Sequence, residues 1–76
     1  MDGTKLQRLR EKHGVSQTDV AKYLGYEVKG KPNRSMIARF ENGYSNINPR
    51  IQMLLQNYFH NLEQREVLGQ TTELVD

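Results

Sequence analysis

"SQTDVAKYLG", residues 16 to 25, opens on a helix-start signal and closes on a helix stop. Ser16 and Asp19 have the spacing of a capping box, in which a hydroxyl and a carboxylate satisfy each other's free backbone N–H groups. Val15 and Val20 flank this cap at the spacing of a hydrophobic staple. The helix so started runs from Gln17 to Leu24, and Gly25 ends it. Its inward face is Val20, Ala21 and Leu24, and the small methyl group of Ala21 lets a second helix approach closely.

Upstream, Thr4-Lys5-Leu6-Gln7 fits another capping box and predicts a first helix from about Lys5 to Lys12, with Leu6 and Leu9 inward and Gly14 as a left-handed stop. Downstream, Tyr26 to Pro32 carries glycine and proline punctuation without a sustained period and reads as loop. Asn33 is placed to cap a third helix. At helical spacing, Ile37, Phe40, Glu41 and Tyr44 share one side, while Ser35, Ala38, Arg39 and Asn42 share the other. Gly43 stops this helix, and Asn48-Pro49 starts a fourth, with proline at the first position, where its missing N–H costs nothing. Ile51, Leu54, Leu55, Tyr58 and Leu62 form its apolar stripe, with Met53 and Phe59 outside. The pattern carries this helix to about Leu68, beyond which Gly69 and two threonines favour an extended or frayed tail. The expected organisation is all-α: a compact bundle of four to five helices over residues 1–68 and a tail over residues 69–76.

A chain of 76 residues removes only about 60% of its unfolded surface from water. It has no cysteine and no metal-ligand cluster to staple it, so stability must come from tight helix packing or a partner subunit, and a homodimer is expected. The absent cysteines suit a reducing cytosol, and "MDGTKLQRLR" lacks the apolar stretch of a signal peptide. No run is long enough to cross a membrane, so a cytoplasmic protein is expected. A net charge of +2 is too weak to imply nucleic acid, but its distribution is informative. Lys29, Lys31, Arg34 and Arg39 fall within Val28 to Phe40 with no acid, whereas Glu63, Glu66, Glu73 and Asp76 face one Arg65 after Asn61. Positive potential is concentrated mid-chain.

A helix ended by glycine, a loop, and a second helix with a small, polar outer face form the pattern of a helix-turn-helix, whose second element enters the DNA major groove. "LQRLREKHGVSQTDVAKYLG" followed by "RSMIARFENG" resembles the Cro/lambda-repressor class of helix-turn-helix, the XRE family of phage and bacterial regulators. The resemblance covers Leu6 to Leu62, and "SQTDVAKYLG" and "IARFENG" are its most specific parts. One departure stands out: "YEVKGKPN" separates Gly25 from Arg34, so the turn is enlarged. The insertion reads either as a basic loop that touches a neighbouring phosphate or as a surface insertion tolerated because lengthening a loop costs little.

The resemblance implies a lambda-repressor-like domain whose recognition helix, residues 34–42, presents Asn33, Arg34, Ser35 and Arg39 to base edges. An arginine fork can bond guanine O6 and N7 together, and Ala38 leaves room for a thymine methyl. Gln17 stands where the family uses a glutamine to bond phosphate, and Lys29, Lys31, Asn42, Tyr44 and Asn46 are further phosphate candidates, with ordinary capping or solvation as the plainer reading of the turn residues. Arg10 and Glu41 occupy positions that form a partly buried ion pair in the family. A dimer would place two recognition helices in successive major grooves of a pseudo-palindromic operator, about 34 Å apart. Met53, Phe59, Leu62, Val67 and Leu68 are candidates for its interface, although the same residues could close the monomer's own core.

The partners implied are a double-stranded DNA operator, a second copy of the chain and, in the alternative, a regulatory protein; no membrane or small-molecule substrate is expected. That alternative is an antirepressor or antitoxin using the same fold to hold a protein, which Met36 and Ala38 beside the arginines would suit. An enzyme is not expected: His13 and His60 are isolated, His13 as a helix C-cap and His60 at the surface, and neither a phosphate-binding glycine loop nor a cofactor or metal motif is present.

Overall fold

The first helix, α1 (Gly3–Lys12), begins on Asp2, whose carboxylate accepts the Lys5 backbone N–H at 2.8 Å. The computed structural model describes the backbone of residues 1–75 and the side chains of residues 1–65. Asp2 therefore replaces Thr4 as the cap. Aspartate caps at least as well as threonine, and its charge also favours the positive end of the helix. Helix α2 (Gln17–Leu24) starts on the capping box in full: Asp19 N–H donates to Ser16 Oγ at 3.0 Å, and Ser16 N–H donates to Asp19 Oδ2 at 3.2 Å. Gly25 closes it in the left-handed region at φ 79°, where a side chain would be strained.

Residues 26–32 are not the irregular loop expected. Strands β1 (Glu27–Val28) and β2 (Lys31–Pro32) pair antiparallel, Glu27 opposite Pro32 and Val28 opposite Lys31. Lys29 and Gly30 join them with φ of 53° and 77°, the two positive values of a type I′ turn. Two-residue strands are too short to show a period, and lysine is an unusual residue at the first turn position, so the hairpin left no sequence signal.

Helix α3 (Arg34–Glu41) follows directly. Asn33 occupies its N-cap position without a side-chain cap bond, contrary to expectation. Its ψ of 79°, against 163° at Ser16, turns the side chain away from the first amides of the helix. The Asn33 backbone N–H instead donates to Tyr26 O at 2.8 Å and closes the hairpin stem onto the helix start. Helix α4 (Pro49–Val75) starts with Asn48 Oδ1 accepting the Ile51 N–H at 2.8 Å. It does not stop near Leu68, because one glycine lowers helix preference by about 1 kcal/mol without removing a backbone hydrogen bond. The backbone is thus helical through most of the expected tail.

The core is Leu6, Val15, Val20, Ala21, Ile37, Phe40, Leu55 and Phe59. Helix α2 packs chiefly on α3, α1 closes one side of that pair, and α4 covers α2. Three side assignments change, the first being Leu54, which is half-buried but does not pack on this core with the rest of its expected stripe. Phe59 is 4% exposed and belongs to the core stripe with Ile51, Leu55, Tyr58 and Leu62, while Tyr44, beyond the end of α3, is 78% exposed rather than inward. Ring contacts support this arrangement: Tyr23 of α2 meets Tyr58 of α4 at 4.6 Å, and Tyr26 meets Phe40 at 6.0 Å.

Candidate nucleic-acid interface

Helix α3 is held from behind and open in front. Ile37 and Phe40 are buried, and Met36 packs partly against the same core. Arg34, Ser35, Arg39 and Asn42 are exposed, Asn33 and Ala38 half-buried. The outer face therefore combines two guanidinium forks, a hydroxyl and amides on a surface kept low by alanine. Among the described residues none of Lys29, Lys31, Arg34 and Arg39 pairs with a carboxylate, so their potential faces solvent unneutralised.

The orientation of this helix is set by a polar clasp. Arg10 Nε donates to Glu41 Oε2 at 2.8 Å, and Arg10 Nη2 donates to Glu41 Oε1 at 3.2 Å, the bidentate geometry natural to a guanidinium and a carboxylate. Gln17 Nε2 also donates to Glu41 Oε1 at 3.2 Å, and Arg10 Nη1 reaches Val15 O at 3.3 Å. One carboxylate at the end of α3 thus holds the end of α1 and the start of α2. The Glu41 side chain is 5% exposed and that of Arg10 17%, so the pair is largely withdrawn from water. Its hydrogen bond to Glu41 keeps Arg10 protonated even more firmly than usual, against the opposing effect of burial. Gln17 still has a second amide N–H beyond the bond to Glu41.

A second constraint came with no sequence signal beyond a glycine near a helix start. A methyl group built on Gly3 would lie 2.2 Å from Phe40 O and 2.5 Å from Glu41 O. The start of α1 therefore abuts the last carbonyls of α3, an approach that only glycine permits.

A family model described as Helix-turn-helix matches residues 6–59. The chain belongs to that family. It is a Cro/lambda-repressor-like, XRE-type helix-turn-helix protein and, on that footing, a DNA-binding transcription regulator. No curated protein and no solved structure shows a significant match to it. In this helix-turn-helix protein α2 and α3 are the motif helices, and the hairpin of residues 27–32 lies between them.

Other expected site residues divide. Lys29 and Lys31 are exposed on the hairpin, and Asn42, Tyr44 and Asn46 are exposed around the α3–α4 turn. Met53 is 63% exposed on α4 and free for an interface. Phe59 is not, because it sits in the monomer core with the His13 ring stacked 5.7 Å from its own, and Leu62 also packs on that core. Val67 and Leu68 lie outside the residues whose side chains are described. His13 stands at the α1 C-cap and His60 is exposed. Among the described residues no acidic, histidine or cysteine group has metal-binding proximity, and no helix is long and apolar enough to cross a membrane.

Proposed function

We propose that the protein is a Cro-like repressor of a phage or mobile element that binds a pseudo-palindromic operator as a homodimer and blocks transcription by occupying the promoter. The observation that carries this reading is α3 itself, anchored by buried Ile37 and Phe40 with Ser35 and Arg39 open to solvent on the opposite flank. A helix presented this way has the exposed width a major groove accepts. Asn33, Arg34, Ser35 and Arg39 read base edges. Gln17, oriented by Glu41 at 3.2 Å, gives its second N–H to a phosphate, with Asn42, Tyr44 and Asn46 beside it and Lys29 and Lys31 on the hairpin. Exposed Met53 supports an interface on α4.

The test is selection of bound duplexes from a random pool at moderate salt, beside an Arg34→Ala/Arg39→Ala variant. The wild type is expected to enrich one inverted repeat, and the variant to lose it. Enrichment of no sequence, or of the same one by both proteins, would overturn the proposal. Arg39→Ala alone should cost about 1–3 kcal/mol at one base pair per half-site. A loss spread evenly over all sequences would reassign Arg39 to phosphate.

A further inference from the structure

We propose that the hairpin is a phosphate-gripping arm on the rim of the major groove opposite the rim held by Gln17 and the α3–α4 turn, so that one domain clasps both strands across its recognition helix. This rests on the DNA-binding reading of α3 given above. Position is the first support. The start of α2 meets the end of α3 through Gln17 and Glu41, at 3.2 Å, while Asn33 N–H to Tyr26 O, at 2.8 Å, joins the hairpin stem to the start of α3. The eight residues of α3 set these two ends about 12 Å apart, close to the width of the groove. Gln17, Asn42, Tyr44 and Asn46 gather at one end; Lys29, Lys31 and Arg34 gather at the other. The first group is neutral and the second cationic.

Conformation is the second support. Lys29 is the sole non-glycine residue with positive φ, at 53°, among the described residues. Asparagine, aspartate and glycine are the residues that a type I′ turn favours there, so backbone preference does not account for lysine, whereas a cation at the tip does. The ribbon also separates its charges. Val28 and Lys31 are paired and share one face, while Glu27 and Pro32 share the other, which turns the acid away from Lys31.

The variant that tests this is Lys29→Asn/Lys31→Gln, which removes both charges while installing the Asn-Gly dipeptide that type I′ turns prefer. Thermal unfolding is used to check that its fold is retained. Binding to the selected duplex is measured over a salt series, and phosphate ethylation interference is mapped on both strands, with Asn46→Ala as the reciprocal variant. The log–log salt slope should become shallower by about 4 for the bound dimer, two phosphates being lost at each half-site. Interference should vanish on one strand at each half-site while the selected base sequence stays the same, and Asn46→Ala should lose interference on the other strand. An unchanged slope and map, or loss on the same rim as for Asn46→Ala, would overturn the arm. A wild-type protein that binds no duplex would remove the DNA reading beneath it, a result distinct from these.

Discussion

Gly3 and Glu41 are the residues on which the placement of α3 depends most directly. At Gly3 a substitution by alanine sets two effects against each other. Better helix preference gains at most about 1 kcal/mol, whereas a methyl group 2.2 Å from Phe40 O meets backbone that cannot swing aside. Overpacking of this kind costs about 1–3 kcal/mol. Gly3→Ala is therefore expected to lower the urea midpoint, and an unchanged midpoint would mean that α1 and α3 are not in firm contact. At Glu41, alanine would strand the Arg10 guanidinium beneath the surface and release Gln17. Breaking such a pair costs about 3–5 kcal/mol, and the 17% exposure of Arg10 places this case near the lower end. Replacing both partners, as in Arg10→Met/Glu41→Leu, should recover part of that loss, because no charge is left unpaired. A double variant less stable than Glu41→Ala would contradict this account of the clasp.

Among the elements, α2 carries the clearest pH dependence. The Ser16 backbone N–H, and then its hydroxyl, hold the Asp19 carboxyl below its ordinary pKa of 3.8. A depressed carboxyl stabilises the fold above its unfolded pKa, and this contribution fades as pH falls from about 4 through the lower folded value. Comparing urea midpoints at pH 6 and pH 2.5, Asp19→Asn should lose less stability on acidification than the wild type. An equal acid response would place the acid-sensitive group elsewhere. Ser16→Ala should cost about 1 kcal/mol at neutral pH. The hairpin and α4 show how far elements were legible beforehand. Helix α2 was readable to the residue because capping box, staple and terminal glycine agree within ten positions. The hairpin was not, since its identity lies in two backbone angles rather than in a pattern of side chains. The length of α4 is not legible in the sequence, because one glycine and two threonines weaken a helix without ending it.

For the molecule as a whole, α4 turns one face to the core and leaves another open, and the proposed dimer would use the open one. Phe59 closes the monomer core, so Phe59→Ala should cost about 3–5 kcal/mol, comparable with the whole stability of about 4–11 kcal/mol expected at this chain length. Met53 is 63% exposed, so Met53→Glu should leave the unfolding midpoint nearly unchanged while shifting sedimentation toward monomer. A Met53→Glu variant that stays dimeric would move the interface off this face of α4. The two variants separate the residue that folds the chain from the one proposed to pair it.

Local chemistry in the sequence determined the main elements: where α2 begins and ends, which side of α3 is apolar, and that arginines and small polar groups share its other side. These are nearest-neighbour effects of capping, helical spacing and glycine, and they act within one or two turns of helix. Only the tertiary structure decided that Gln17 joins the expected partner Arg10 on the Glu41 carboxylate, that Gly3 lies against the last carbonyls of α3, that Phe59 belongs inside, and that the basic insertion is a hairpin stemming from the start of α3. Each of these joins segments whose relation depends on how helices pack in three dimensions or on backbone angles at a turn. Spacing along the chain carries neither.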